Sequence, residues 1–144
     1  MKPILLVVAP YYQDIGEMLI TGATNAIYAA GHTAEMITVP GALEIPAAVA
    51  MAVKTDRYSA FVALGCVIRG ETSHYDTVAN ESARGLQEIA IQRHVAIGNG
   101  ILTCETMPQA IERADTTQGN KGGDAATAAL RMLQIRTVFG LDHA

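Results

Sequence analysis

The residues best suited to chemistry lie in the segment 65–76, between an apolar run and a predicted helix. Thr72 and Ser73 offer hydroxyl groups beside the unpaired N–H groups of a helix start, which is an arrangement that binds phosphate or a similar anion. His74 follows directly, and its imidazole can move protons at neutral pH. Ser73 and Asp76 also have the spacing of a capping box, and an ordinary capped turn would explain only these two. The segment therefore predicts an anion site with a proton donor.

Two other loops carry side chains that suit a ligand. Tyr11 and Tyr12 follow the first apolar run, and either ring can stack on a planar heterocycle or pack over the sheet edge. Glu44 can accept hydrogen bonds from a polyol or an amine, although a solvated glutamate is the simpler interpretation of this residue alone.

The elements that must position these residues alternate regularly along the chain. Apolar runs predict strands at residues 4–9, 33–39, 60–68 and 96–103. Helical periodicity and helix start and stop signals predict helices at residues 14–30, 46–55, 74–93, 107–114 and 124–134, with a glycine-rich loop at 116–123. This order predicts an α/β fold in one domain spanning residues 1–144, a four-stranded parallel sheet in a three-layer α/β/α sandwich.

A parallel sheet of this kind brings the candidate residues together. All strand-to-helix loops leave the same edge of the sheet, and ligands bind where the strand order reverses. With a flavodoxin-like order of 2-1-3-4, the loops after the first and third strands flank that point. The two tyrosines, Glu44 and the turn before His74 are therefore expected to converge.

Composition narrows the possible functions. The chain has 144 residues, of which 50% are hydrophobic and 17% charged. With so few charged residues, part of the apolar surface is expected to be buried in subunit contacts, which predicts an oligomer. A net charge of −4 without a basic run argues against a nucleic acid or an anionic membrane as partner. We expect a cytoplasmic protein, since no signal peptide or spanning segment is recognisable and Cys66 and Cys104 form no disulfide framework. No histidine pair has metal-ligand spacing, so no metal is predicted.

Three motifs, in this order, make the chain resemble the lumazine synthase family. They are VPGALEIP at residues 39–46, LGCVIRGETSHYD at residues 64–76 and GNKG at residues 119–122. The resemblance implies an enzyme of riboflavin biosynthesis that condenses 5-amino-6-(D-ribitylamino)uracil with 3,4-dihydroxy-2-butanone 4-phosphate. Its products would be 6,7-dimethyl-8-ribityllumazine, phosphate and water, with no cofactor. A homopentamer is also implied, either free or assembled into a shell of sixty subunits.

The resemblance further implies roles for single residues. His74 would be the proton donor, and the butanone phosphate would be bound by Glu71, Thr72 and Arg113. The ribitylaminouracil would be bound by Tyr11, Ala42, Leu43, Glu44, Cys66, Val67, Ile68, Asn99 and Lys121. Because the family builds each site across two subunits, the neighbour would supply Asn99, Arg113 and Lys121. The family more often has Phe or Trp preceded by Arg where this chain has Pro10 and Tyr11, so Tyr12 remains a rival for the stacking position.

Two other classes of function compete with the enzyme. A non-catalytic flavin or lumazine receptor on the same scaffold would need neither His74, nor Arg113, nor the phosphate turn. A flavodoxin-like signalling module would need an acidic cluster at the strand ends, which this sequence lacks. Formation of the lumazine chromophore from the two substrates separates the enzyme from both.

Overall fold

The protein folds around one parallel sheet, which a computed structural model describes over residues 1–141. The strand order is β2-β1-β3-β4, as predicted. The strands are β1 Ile4–Val8, β2 Ala34–Thr38, β3 Ala60–Ile68 and β4 Ile97–Cys104. The central strands β1 and β3 are the continuous apolar runs and are covered on both faces, as buried parallel strands require.

Helices cover both faces of this sheet and complete the predicted three layers. They are α1 Gln13–Ala29, α2 Ile45–Thr55, α3 His74–Arg93, α4 Met107–Ala114 and α5 Lys121–Val138. A short 3-10 turn at Ala42–Glu44, which the sequence did not predict, precedes α2. The helices α1, α4 and α5 pack into one apolar core, and α2 and α3 pack into the other. Within residues 1–141, no helix is both long and apolar enough to cross a membrane.

Helix α1 follows directly from its apolar spacing. Ile15, Leu19, Ala23 and Ile27 recur at helical intervals, and each is at most 1% exposed. Gly31 then adopts a φ of +84°, a conformation that glycine takes without strain, and the helix ends there as predicted.

Helix α5 corrects the predicted loop at 116–123 and the predicted start at residue 124. It begins at Lys121 and runs to Val138, so Gly122 and Gly123 lie in its first turn. A Cβ atom on Gly122 would overlap the carbonyl oxygen of Leu19 on α1. Gly122 therefore allows a close approach of two helices, and a Cβ atom on Gly123 would meet the side chain of Asn120. The composition of this pair alone is typical of a loop.

Candidate active site

The loops at the carboxyl ends of β1, β2 and β3 surround a cavity of about 510 Å³. This is the edge at which the topology predicted a ligand site. The predicted site residues that line it are Tyr11, Ala42, Leu43, Glu44, Cys66, Val67, Ile68, Thr72 and His74. One chain thus brings the aromatic group, the carboxylate, the hydroxyl and the imidazole to a single space.

Four predicted site residues lie outside the described lining of this cavity. Glu71 is exposed in the same turn as Thr72. On β4, the Asn99 side-chain oxygen accepts a hydrogen bond from the Ile101 N–H at 2.9 Å. The remaining two are Arg113 at the end of α4 and Lys121, whose Nζ lies 3.4 Å from Asp124 Oδ2.

The cavity also contains residues to which sequence reasoning gave no role. Tyr75 and Val78 line it beside His74. Val78 lies four residues after His74 and therefore shares a face of α3, so helical spacing could have identified it. Tyr75 lies inside the motif at 64–76, but no pattern in the sequence separates a ligand-facing tyrosine from a packing one.

The two tyrosines of the first loop have different environments. Tyr11 is 77% exposed at the rim of the cavity, whereas Tyr12 is half-buried and packs against the core. Their rings meet edge to face, with centroids 4.9 Å apart. Burial raises the pKa of the Tyr12 hydroxyl, and the neighbouring Cys66 adds to this rise. Tyr12 thus supports the ring of Tyr11, which keeps accessible surface for a ligand.

The turn between β3 and α3 corrects the predicted capping box. Ser73 has φ −74° and ψ 2° rather than the extended backbone of a capping residue, and its side chain caps no N–H group among the described residues. Asp76 instead lies 3.6 Å from a guanidinium nitrogen of Arg69. Thr72 Oγ1 accepts a hydrogen bond from the His74 N–H at 3.3 Å.

Backbone donors are left available in this turn. Within residues 1–141, no hydrogen bond is made by the backbone N–H groups of residues 70–73. Unpaired N–H groups just before a helix suit an anion, because they can donate to it and because the adjacent helix start carries the positive end of the helix dipole. The geometry therefore supports the anion site that the sequence predicted.

Two thiols lie at the ends of β3 and β4. Cys66 lines the cavity, and burial raises the pKa of its thiol to about 12, with the neighbouring Cys104 adding to the effect. Cys104 is buried, and its sulfur accepts a hydrogen bond of 3.2 Å from Arg113 Nη1, which raises the pKa of Arg113. Cys66 is consequently a neutral thiol at physiological pH and is poorly suited to act as a nucleophile.

A second cavity, of about 700 Å³, lies at the opposite edge of the sheet. Lys2, His32, Asp56 and Arg136 are among its lining residues. It is larger, but it contains none of the predicted site residues and none of the strand-to-helix loops. In the described part of the chain, no three His, Cys, Asp or Glu side chains are grouped so that they could hold a metal ion.

Comparison with known proteins agrees with this geometry. The family described as 6,7-dimethyl-8-ribityllumazine synthase matches residues 2–137. A relative of that name from Methylorubrum populi is 53% identical over 146 residues, covering 98% of this chain and 86% of the relative. A relative of the same name from Sphingopyxis alaskensis is 51% identical, and the match covers 98% of this chain and 99% of the relative. Another from Zymomonas mobilis is 57% identical, and the match covers 94% of this chain and 97% of the relative. The chain belongs to the 6,7-dimethyl-8-ribityllumazine synthase family.

Proposed function

We propose that the 510 Å³ cavity is where this chain binds its two substrates. The reaction is the condensation of 5-amino-6-(D-ribitylamino)uracil with 3,4-dihydroxy-2-butanone 4-phosphate, a transferase step of riboflavin biosynthesis. The observation that carries the proposed location is the convergence of Tyr11, Glu44, Thr72 and His74 on one space. Tyr11 can stack on a planar ring, Glu44 can accept hydrogen bonds from a polyol, and the turn with Thr72 and His74 can bind a phosphate.

The ribitylaminouracil is proposed to occupy the side of the cavity near β1 and β2. Tyr11 is exposed enough to stack on the pyrimidine, and Leu43, which is 43% exposed, offers a second apolar surface. Glu44 accepts hydrogen bonds from ribityl hydroxyls, and Ala42 of the same turn lines the cavity. The neutral wall formed by Cys66, Val67 and Ile68 contacts the ring largely through backbone groups, which suits an uncharged heterocycle.

The butanone phosphate is proposed to bind at the turn before α3. The unpaired N–H groups of residues 70–73, including that of Glu71, and the hydroxyl of Thr72 donate hydrogen bonds to its phosphate. The amine attacks the ketone and water leaves to give an imine. Loss of a proton beside the imine carbon then accompanies departure of the phosphate, and ring closure releases water. His74 lies at the same turn and transfers these protons, while most of the acceleration comes from holding two substrates side by side.

We further propose that a neighbouring subunit completes each site in a cytoplasmic homopentamer. Asn99, Arg113 and Lys121 lie outside the cavity of their own chain and would reach the next one. Arg113 uses one N–H group on Cys104, and its remaining donors suit a bidentate contact with phosphate. Large exposed apolar side chains provide surface for subunit contacts; they include Met36, Ile37, Met51 and Ile91.

The test is product formation from the two purified substrates. We expect the lumazine chromophore and inorganic phosphate to appear in equal amounts, and neither to appear when one substrate is omitted. A chain that binds the preformed lumazine but produces none would be a receptor, and that result would reject the proposed function.

A further inference from the structure

Arg69 links three elements beside the cavity without lining it. Its backbone N–H continues the pairing of β3 with β4 by donating to the Cys104 carbonyl at 2.9 Å. Its Nε donates to Glu105 Oε2, just beyond β4, at 2.8 Å. A terminal nitrogen lies 3.6 Å from Asp76 Oδ1 in the first turn of α3. The guanidinium therefore bridges the end of β4 and the start of α3.

The same guanidinium packs on a residue that does line the cavity. The Arg69 Cζ atom lies 4.2 Å from the centroid of the Tyr75 ring, within the range of a cation–π contact. Tyr75 follows His74 directly and shares the cavity lining with it. The position of Tyr75, and of the helical turn that begins at His74, thus depends on a group outside the cavity.

Side-chain capping does little to hold the turn that Arg69 spans. Ser73 provides no side-chain cap to a described residue, and the His74 N–H donates to Thr72 Oγ1 at 3.3 Å. Asp76, which would have completed a capping box, is paired with Arg69 instead. We infer that Arg69 is a positioning residue that orders this turn so that Thr72 and His74 receive the phosphate-bearing substrate.

Direct binding of phosphate by Arg69 fits the structure less well. Glu105 and Asp76 already compensate its charge, and Arg69 is not among the residues that line the cavity. The three side chains are 41% to 58% exposed, and exposed ion pairs contribute little to the free energy of unfolding. Losing these contacts should therefore affect the reaction more than the stability of the fold.

The test compares Arg69→Gln with the wild type in steady-state kinetics for each substrate, and it rests on the proposed function. We expect kcat/KM for the butanone phosphate to fall about 10- to 100-fold, because a small displacement of reacting groups is costly. KM for the ribitylaminouracil should stay within about twofold, and Tm within about 2 °C. Arg69→Lys keeps the charge but not the planar fork, so an intermediate loss of about three- to tenfold is expected.

Arg84→Gln is the matched control. Arg84 also bridges two carboxylates, Glu81 at 3.1 Å and Glu88 at 2.9 Å, on an exposed part of the same helix. This variant should behave as the wild type with both substrates. If Arg69→Gln does the same, the positioning role is wrong. An equal loss for both substrates together with a lowered Tm would also overturn it, since Arg69 would then serve only the fold. A wild-type protein that makes no product would instead defeat the proposed function.

Discussion

Four strand-to-helix connections leave the same edge of the sheet, and they differ in how their helices begin. After β4, Thr106 Oγ1 accepts a hydrogen bond from the Gln109 N–H at 3.3 Å, and Gln109 Oε1 accepts one from the Glu105 N–H at 2.9 Å. In the described chain, the helices that follow β1, β2 and β3 begin without a side-chain cap. The three connections without a cap line the cavity, whereas none of the residues of the capped turn does.

The difference shows how one fold divides its loops between structure and binding. A capped turn, called closed below, pairs its own donors and gains stability, but it leaves few donors for a ligand; a turn without a cap is called open. A turn without a cap gives up part of that stability and keeps N–H groups that an anion can use. Helix α4, which begins with this cap, carries Arg113 in its last turn. The residues that line the cavity are therefore found at the turns without a cap, whereas the capped turn keeps its donors paired within the chain.

Replacing Arg113 should give the largest effect, because in the proposed shared site this residue binds the substrate phosphate at the turn before α3 of a neighbouring subunit. We expect Arg113→Ala to lower kcat/KM for the butanone phosphate by about 10²- to 10³-fold, through loss of a charged hydrogen-bonded contact. Mixing Arg113→Ala subunits with His74→Ala subunits, after joint unfolding and refolding, should restore complete sites. Recovered activity should exceed the sum of the two parents. If mass measurement shows mixed oligomers and activity never exceeds that sum, Arg113 serves its own subunit.

Replacing His74 tests the open turn as a site of proton transfer. His74→Ala should lower kcat by about 10²-fold or less, with both KM values nearly unchanged, because water can replace one proton carrier among several. The measurement is steady-state formation of the lumazine. A fall beyond about 10⁴-fold, or loss of binding for both substrates, would contradict the assigned role.

Tyr11 tests the open connection after β1. Tyr11→Ala should raise KM for the ribitylaminouracil about tenfold and leave KM for the butanone phosphate nearly unchanged, since a stacked ring contributes about 0.5–1.5 kcal/mol beyond its burial. Tyr11→Phe keeps the ring and should remain close to the wild type. If Tyr12→Ala produces this pattern while Tyr11→Ala does not, the stacking residue is Tyr12.

Cys66, in the wall of the cavity, predicts how the stability of the fold changes at alkaline pH. Its pKa is raised from 9.0 to about 12 in the folded protein. The folded state therefore favours the protonated thiol. Its contribution to the free energy of unfolding is fully present below pH 9 and is lost as the pH rises towards 12. Between about pH 8 and pH 10.5, the wild type should lose roughly 1–2 kcal/mol more unfolding free energy than Cys66→Ala. Urea unfolding at fixed subunit concentration measures this difference, and equal losses in both proteins would contradict it.

The two helix starts themselves should give the smallest effects. Thr106→Ala removes a side-chain cap and should lower the free energy of unfolding by about 1 kcal/mol, whereas Thr106→Ser should restore most of it. Ser73→Ala removes no cap and should change the free energy by less than about 0.5 kcal/mol. Equal losses at the two positions, measured by urea unfolding, would remove the distinction between a closed and an open turn.

The sequence by itself determined the order of elements and the edge that holds the site. Continuous apolar runs predict β1 and β3, because both faces of a buried parallel strand contact apolar groups. Helices α3 and α4 begin and end at the predicted residues. Alternation of strands and helices then requires a parallel sheet, and a parallel sheet gathers the loops that carry Tyr11, Glu44 and His74 at one edge. These inferences depend only on local pattern and connectivity.

The tertiary structure decided which partner each polar group takes. Gly122 and Gly123 have the composition of a loop, yet both lie in the first turn of α5, where Gly122 packs closely against α1. Ser73 and Asp76 have the spacing of a cap, yet Asp76 lies within reach of Arg69, whose position depends on the pairing of β3 with β4. Residue spacing limits which local contacts are possible. Competition from groups distant in sequence selects among them, because only folding brings those groups within a few ångströms.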